Sequence, residues 1–86
     1  MKLSKKFIMH NSGEESLLVP TGEAEFSGVV KGNKILGQIL SLLTEDTDED
    51  SIIEKMEAIF DADRDIISKD VKKALAELRK VGALDE

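Results

Sequence analysis

The chain has 86 residues, a formal net charge of −6 and no cysteine. Its length predicts one small domain, without room for a deep catalytic cavity between subdomains. The lack of cysteine excludes disulfides and thiolate metal sites, and the negative charge opposes nonspecific attraction to nucleic-acid phosphates.

Membrane and export signals are also missing from the sequence. No apolar run reaches the roughly 18 residues that cross a bilayer. The apolar stretch near the N-terminus, residues 7–9, is too short for the core of a signal peptide. We therefore expect a cytoplasmic protein that binds neither membranes nor nucleic acids.

Three short apolar stretches in the first part of the chain predict an antiparallel sheet. Turn-forming residues 11–15 separate the first two stretches, which favours a hairpin. Pro20 should end the second strand because it has no N–H to donate to the ladder. Gly28 suggests a bulge inside the third strand, and Gly32 permits a sharp turn after it. The predicted strands are residues 5–10, 16–20 and 26–31.

Three helices are predicted in the remaining chain. Asn33 is expected to cap the first helix, and acidic residues crowd the start of the second. Asp63 precedes the third helix, where its carboxylate should accept hydrogen bonds from free amides. Gly82 should end that helix, since glycine takes the left-handed conformation at no side-chain cost. The predicted helices are residues 34–43, 50–60 and 64–81.

The third helix has the strongest pattern in the sequence. Its apolar residues recur every three or four positions, which predicts one buried stripe, and Arg79 and Lys80 suit the dipole of its last turn. Three strands followed by three helices predict an α+β fold, with the sheet and the helices covering each other's apolar faces. The stripe comprises Ile67, Val71, Ala74, Leu75, Leu78 and Val81.

Catalytic chemistry has few candidate groups in this chain. His10 is the only histidine, and it falls in a predicted strand, where a surface or structural role is the usual one. No nucleophile, general base and oxyanion donor form a recognisable set. We therefore expect a protein that is not an enzyme and uses no cofactor.

The acidic stretch before the second helix suggests an alternative function. From residue 46 to residue 57, carboxylates stand at positions 1, 3, 5, 9 and 12 of a calcium-binding loop. Ser51 occupies the position where the sharp turn of such a loop requires glycine, which favours a simple acidic linker that caps the helix. The candidate calcium ligands are Asp46, Asp48, Asp50, Glu54 and Glu57.

The third predicted strand offers a different kind of site. An uncovered sheet edge presents free N–H and C=O groups to an incoming peptide. The residues alone leave a second interpretation open, because Lys31 and a bulge at Gly28 would blunt such an edge. A free edge also permits strand exchange between copies, so a homodimer is a further alternative.

Two runs on either side of the acidic stretch have a familiar order and spacing, VPTGEAEFSGVVKGNKILGQILSLL and SIIEKMEAIFDADRDIISKDVKKALAELRKVGAL. Their most informative residues are Asn33, Asp70, Val71, Leu75, Leu78, Gly82 and Leu84. Together they resemble the PqqD family, small proteins of pyrroloquinoline-quinone and related peptide-modification pathways. The likeness extends over nearly the whole chain, from about residue 7 to residue 84.

The resemblance implies a winged-helix-like domain that binds the leader segment of a ribosomally made precursor peptide. The leader would add as a strand beside the third strand, with the third helix as the other wall of a groove. The domain would then present the peptide to a modifying enzyme, commonly a radical S-adenosylmethionine maturase. Residues such as Val71 and Leu78 would set the width of the groove. The residues expected to bind the peptide are Phe26, Ser27, Val29, Val30, Lys31, Ile66, Asp70, Ala74 and Glu77.

A winged-helix DNA-binding protein is the remaining alternative. The third helix is not rich in arginine and the net charge is negative, and both features oppose binding to DNA.

Overall fold

A computed structural model describes residues 1–12, 15–24 and 28–86 of the chain. Within them, three helices pack against a three-stranded antiparallel sheet, and a second, two-stranded sheet joins the two ends of the chain. The fold is α+β, as the order of strands and helices predicts. The strands are Lys2–Leu3 (β1), Phe7–Ser12 (β2), Glu15–Pro20 (β3), Val30–Gly32 (β4) and Leu84–Asp85 (β5). The helices are Lys34–Leu42 (α1), Glu49–Ile59 (α2) and Arg64–Lys80 (α3).

The larger sheet has the strand order β2-β3-β4, which places β4 at an edge. Successive side chains of a strand point to opposite faces of the sheet. In β3, Leu18 is completely buried, whereas Val19 is exposed. His10 of β2 is exposed as well, which agrees with a surface role. One face of the sheet therefore packs on the helices while the other faces solvent.

The strand boundaries differ from the predicted ones most at the starts of β2 and β4, and by one or two residues at the end of β2, the start of β3 and the end of β4. The strand β2 begins at Phe7 instead of residue 5, because Lys5 and Lys6 form a turn. The strand β4 begins at Val30 instead of residue 26. The predicted start of that strand, including Phe26 and Ser27, lies outside the described residues.

The two glycines near β4 have other roles than predicted. Gly28 has a φ of 121° and lies in a bend before β4, so it does not form a bulge inside the strand. Gly32 is the last residue of β4 and does not form a turn. Its missing side chain instead leaves room for Leu36 of α1, which packs directly against it.

A small sheet ties the two ends of the chain together and was not predicted. Strand β1 pairs with β5 in antiparallel register, and Leu3 lies opposite Leu84. The amino group of Met1 donates hydrogen bonds to the carboxylate of Asp46 (2.8 Å) and to the carbonyl of Thr47 (2.7 Å). Two-residue strands leave no periodic pattern in a sequence, so this pairing depends on contacts between distant residues.

The starts of the helices follow the predicted caps in two of three cases. The side chain of Asn33 accepts hydrogen bonds from the amides of Ile35 and Leu36, at 3.1 and 3.3 Å. Asp48 caps α2 by accepting from the amide of Ser51 at 2.7 Å. Asp63 occupies the N-cap position of α3, but its side chain makes no capping hydrogen bond, so that part of the prediction is wrong.

The end of α3 has the predicted glycine stop. Gly82 takes a φ of 77°. Its amide donates to the carbonyl of Arg79 (3.1 Å), and the amide of Ala83 donates to the carbonyl of Leu78 (2.8 Å). These two bonds form a Schellman motif, which satisfies carbonyls that the helix would otherwise leave free.

The core lies between the sheet and the helices. The predicted stripe of α3 contributes Ile67, Val71, Leu75 and Leu78, each at most 5% exposed. Phe7 and Leu18 bring the sheet to the same cluster. Among the described residues, none of the three helices combines the length and the apolar character that a bilayer crossing requires.

Candidate functional site

A groove of about 420 Å³ runs between β4 and α3. Residues of β4 form one wall, residues of α3 form the other, and the start of α1 contributes apolar side chains between them. The groove is lined by Val30, Lys31, Gly32, Asn33, Ile35, Leu36, Asp70, Lys73, Ala74, Glu77 and Leu78.

The register of the sheet decides which main-chain groups face this groove. In an antiparallel ladder, opposed residues alternate between pairs that exchange both hydrogen bonds and pairs that exchange none. Thr21, the residue directly after β3, lies opposite Lys6 and donates its amide hydrogen to the Lys6 carbonyl at 2.8 Å. Because the pattern alternates, odd-numbered residues of β3 form their hydrogen bonds with β2, and even-numbered residues form theirs with β4. The partners of even-numbered β3 residues are Val30 and Gly32, which therefore bond to β3. Lys31 must direct its N–H and C=O away from the sheet.

The outer side of β4 is open within the described part of the chain. No described strand pairs with β4 other than β3. The N–H and C=O of Lys31 therefore have no strand partner, and an extended peptide is the natural group to pair with them.

Charged side chains of both signs line the groove. Lys31 reaches Glu15 on the neighbouring strand at 3.9 Å, and because both side chains are largely exposed this ion pair adds little stability. Asp70, Lys73 and Glu77 follow one another on the same side of α3. In the described part of the chain, no ion pair involves these three residues. Their charges are thus available to a bound molecule.

A smaller pocket of about 220 Å³ adjoins the groove, since Ile35 and Asp70 line both. It lies where the end of α2, the α2–α3 connection and the start of α3 meet α1. The pocket is lined by Ile35, Met56, Phe60, Asp61, Ala62, Ile66, Ile67 and Asp70.

The structure brings most of the predicted peptide-binding residues together, though not all of them. Ile66 lines the smaller pocket instead of the groove. Val29 is 48% exposed and lines neither cavity. Phe26 and Ser27 lie outside the described residues. The predicted residues that line the groove are Val30, Lys31, Asp70, Ala74 and Glu77.

Sequence reasoning missed several residues of the groove. The apolar face of α1 is wider than one stripe, which indicates burial on more than one side, and two of its residues, Ile35 and Leu36, reach the groove. Lys73 lies three residues after Asp70 and four before Glu77, so the helical period places it on the same face as these two predicted residues. That spacing is the signal by which Lys73 could have been found. Leu78 was expected only to set the width of the groove, but it also lines the cavity.

The calcium-loop alternative is wrong in this structure. Helix α2 begins at Glu49, so Asp50, Glu54 and Glu57 lie on a helix and cannot wrap around an ion as a loop does. Glu57 instead forms an ion pair with Arg64. The described residues contain no group of three or more histidine, cysteine or acidic side chains arranged to hold a metal ion.

The two remaining candidate ligands have structural partners. A hydrogen bond from the N-terminal amino group, reinforced by its positive charge, lowers the pKa of Asp46 below its ordinary value of 3.8. The hydrogen bond from the Ser51 amide lowers the pKa of Asp48 in the same way. Both carboxylates therefore serve the fold, as a clamp on the N-terminus and as a helix cap.

Comparison with known proteins agrees with this architecture. The family model described as "Coenzyme PQQ synthesis protein D (PqqD)" matches residues 13–84. The solved structure of TbiB1 in complex with the TbiA(beta) leader peptide has a TM-score of 0.75 and 21% sequence identity to this chain, and the alignment covers 99% of this chain and 100% of that one. At this identity the likeness concerns the fold. No curated protein sequence matches the chain.

Proposed function

Because the chain belongs to the PqqD family, we propose that it is a non-catalytic adaptor that binds the leader segment of a ribosomally made precursor peptide and presents it to a modifying enzyme. The observation that carries this proposal is the open edge of β4 beside a groove whose other wall is α3. The solved complex of TbiB1, which shares the fold, contains a leader peptide and supports the same kind of ligand.

Binding begins with main-chain hydrogen bonds at the edge of β4. The N–H and C=O of Lys31 pair with the leader, which adds to the sheet as a further strand. Such bonds give affinity without reading sequence, because every peptide residue except proline carries the same two groups. The three-residue length of β4 limits the ladder, so side chains must supply the remaining affinity.

Side chains of the leader supply specificity. Successive residues of a strand point to opposite sides, so every second leader residue faces the groove. There it meets the apolar surface of Val30, Leu36 and Ala74. The rim charges of Asp70 and Lys73 favour complementary charges on the leader, but exposed ion pairs contribute little energy. Apolar leader residues therefore dominate the affinity.

In this proposal the modifying enzyme is a radical S-adenosylmethionine maturase. The chain acts in the cytoplasm, where a ribosomally made peptide is first available. The test of that partner uses a purified maturase and a precursor peptide encoded beside the gene for this chain, and it measures the rate of precursor modification with and without the chain. We expect modification of the precursor to be fast with the chain and slow without it. Equal rates with and without the chain would contradict the adaptor role.

Titration of the isotope-labelled chain with the leader part of that precursor tests binding directly. We expect changes in the amide chemical shifts of Lys31 and of residues 70–77 of α3. The matched control is the part of the same precursor that follows the leader and is itself modified, which should cause no comparable changes in chemical shift. The absence of any shift at several hundred micromolar leader would contradict the proposal, and shifts confined to other regions would contradict the proposed groove.

A second copy of the chain competes for the same edge. A homodimer formed through β4 would occupy the main-chain groups of Lys31 and cover the groove. Sedimentation with and without leader peptide distinguishes the two states. If the chain dimerises through this edge, the leader should dissociate the dimer.

A further inference from the structure

A small pocket, lined mainly by apolar residues, adjoins the groove. Resting on the proposed function, we infer that this pocket, which Phe60 and Ile66 help to line, receives one large apolar side chain of the leader, and that a lysine or arginine adjoins that side chain in the leader sequence.

The size and lining of the pocket suit a side chain. Its volume of about 220 Å³ lies below the ~300–1,000 Å³ of pockets that enclose a drug-sized ligand. Met56 and Ile67 are almost fully buried and form an apolar floor, whereas Ile66 is 54% exposed at the rim. Docking of an apolar side chain would cover this exposed isoleucine, which is favourable by the hydrophobic effect.

The charges at the pocket favour a basic neighbour of the anchor. Its two charged lining residues, Asp61 and Asp70, are both acidic. The nearest arginine in sequence, Arg64, is held in an ion pair with Glu57. A leader lysine or arginine next to the anchor would therefore face the carboxylates of Asp61 and Asp70, which would repel an acidic residue. The lysine closest along α3 among the cavity-lining residues, Lys73, lines the groove and not this pocket.

Continuity with the groove identifies the occupant as the same peptide. Ile35 and Asp70 line both cavities, so one extended chain passes from one to the other. Ile66 precedes Ala74 by eight positions in α3, which corresponds to about 12 Å of helix. An extended peptide covers that distance in about four residues. The anchor should therefore lie about four residues from the leader residue that packs on Ala74.

A display library of random peptides of about 12 residues, long enough to pass along both cavities, tests the inference. The library is selected on the wild-type chain and on the variants Ile66→Asp and Ile59→Asp. Ile59 is the matched control, because it is 50% exposed and lines neither cavity. Synthetic copies of the enriched peptides then give affinities, and thermal unfolding confirms that each variant is folded.

We expect the wild-type chain to enrich peptides with an apolar residue beside a basic one. Ile66→Asp should weaken their binding by about tenfold or more, and Ile59→Asp by less than about threefold. Replacing the apolar peptide residue by serine should cost affinity for the wild type but not for Ile66→Asp. Equal affinities of the two variants would overturn the anchor pocket while leaving strand addition intact. Failure of the wild type to enrich any peptide would overturn both proposals.

Discussion

Gly32 of β4 and Leu36 of α1 lie so close together that a Cβ atom added to Gly32 would stand 2.6 Å from the Cβ of Leu36. Cβ atoms in proteins do not approach other atoms to this distance, so only glycine fits. The contact holds the edge strand against the first helix and thereby sets one wall of the groove.

Gly32→Ala should therefore destabilise the fold by overpacking, by about 1–3 kcal/mol. Chemical denaturation measures the free energy of unfolding. Gly22→Ala is the matched control, because nothing lies within 4 Å of a Cβ built there. It should change stability by less than about 0.5 kcal/mol. Equal effects of the two substitutions would show that Leu36 does not restrict position 32.

The cap at Asn33 should contribute measurably to stability. Asn33→Ala removes the hydrogen bonds to the amides of Ile35 and Leu36 and should cost about 1 kcal/mol. Asp63→Ala is the matched control at the start of α3, where the side chain makes no capping bond. Denaturation should show a smaller loss for this variant, and a loss as large as that of Asn33→Ala would contradict the observed geometry.

Lys31→Pro isolates the outward N–H of the edge strand. Proline removes that donor, and because the N–H of Lys31 points away from β3, the ladder between β3 and β4 should survive. Leader binding measured by calorimetry should weaken by about tenfold or more, since a buried partner carbonyl loses its hydrogen bond.

Two comparison variants make this prediction specific. Lys31→Ala keeps the N–H and removes only the charged side chain, so it should weaken binding much less than proline does. Val30→Pro removes an N–H that bonds to β3 and should lower the thermal stability instead. If proline at position 31 unfolds the protein as proline at position 30 does, the assigned direction of the Lys31 amide is wrong.

The helix cap at Asp48 should make the free energy of unfolding depend on pH in the acidic range. Its carboxylate has a pKa below the ordinary value of 3.8 because the Ser51 amide donates to it. The charged form is therefore favoured in the folded state, and the stability that it contributes is present above the ordinary pKa and is lost as the pH falls through the lowered one. Unfolding of wild type and Asp48→Asn, compared between about pH 2 and pH 6, should show a difference that changes below about pH 4. A pH-independent difference would contradict the lowered pKa.

Local signals predicted the helices well. The helix signals are local: the cap at Asn33 and the stop at Gly82 act within about one turn, and the apolar stripe of α3 repeats every three or four residues. Neighbouring residues in the sequence are therefore enough to predict them. Asp63 shows the limit of such signals, because the capping residue type is present but the bond is not formed. The overall α+β order, the three helices and the predicted third strand as the edge of the sheet followed from the same local patterns.

Contacts between distant parts of the chain decided the rest. The pairing of β1 with β5, the packing of Leu36 on Gly32 and the pocket between Phe60 and Ile66 each join residues whose approach no local pattern encodes. The sequence by itself determined the three helices and the three strands of the larger sheet, because propensity and burial period are local properties. It left open whether the edge of the third strand is free or blunted. Only the tertiary structure decided where that edge meets α3 and which side chains line the groove, because those depend on how the helices pack on the sheet.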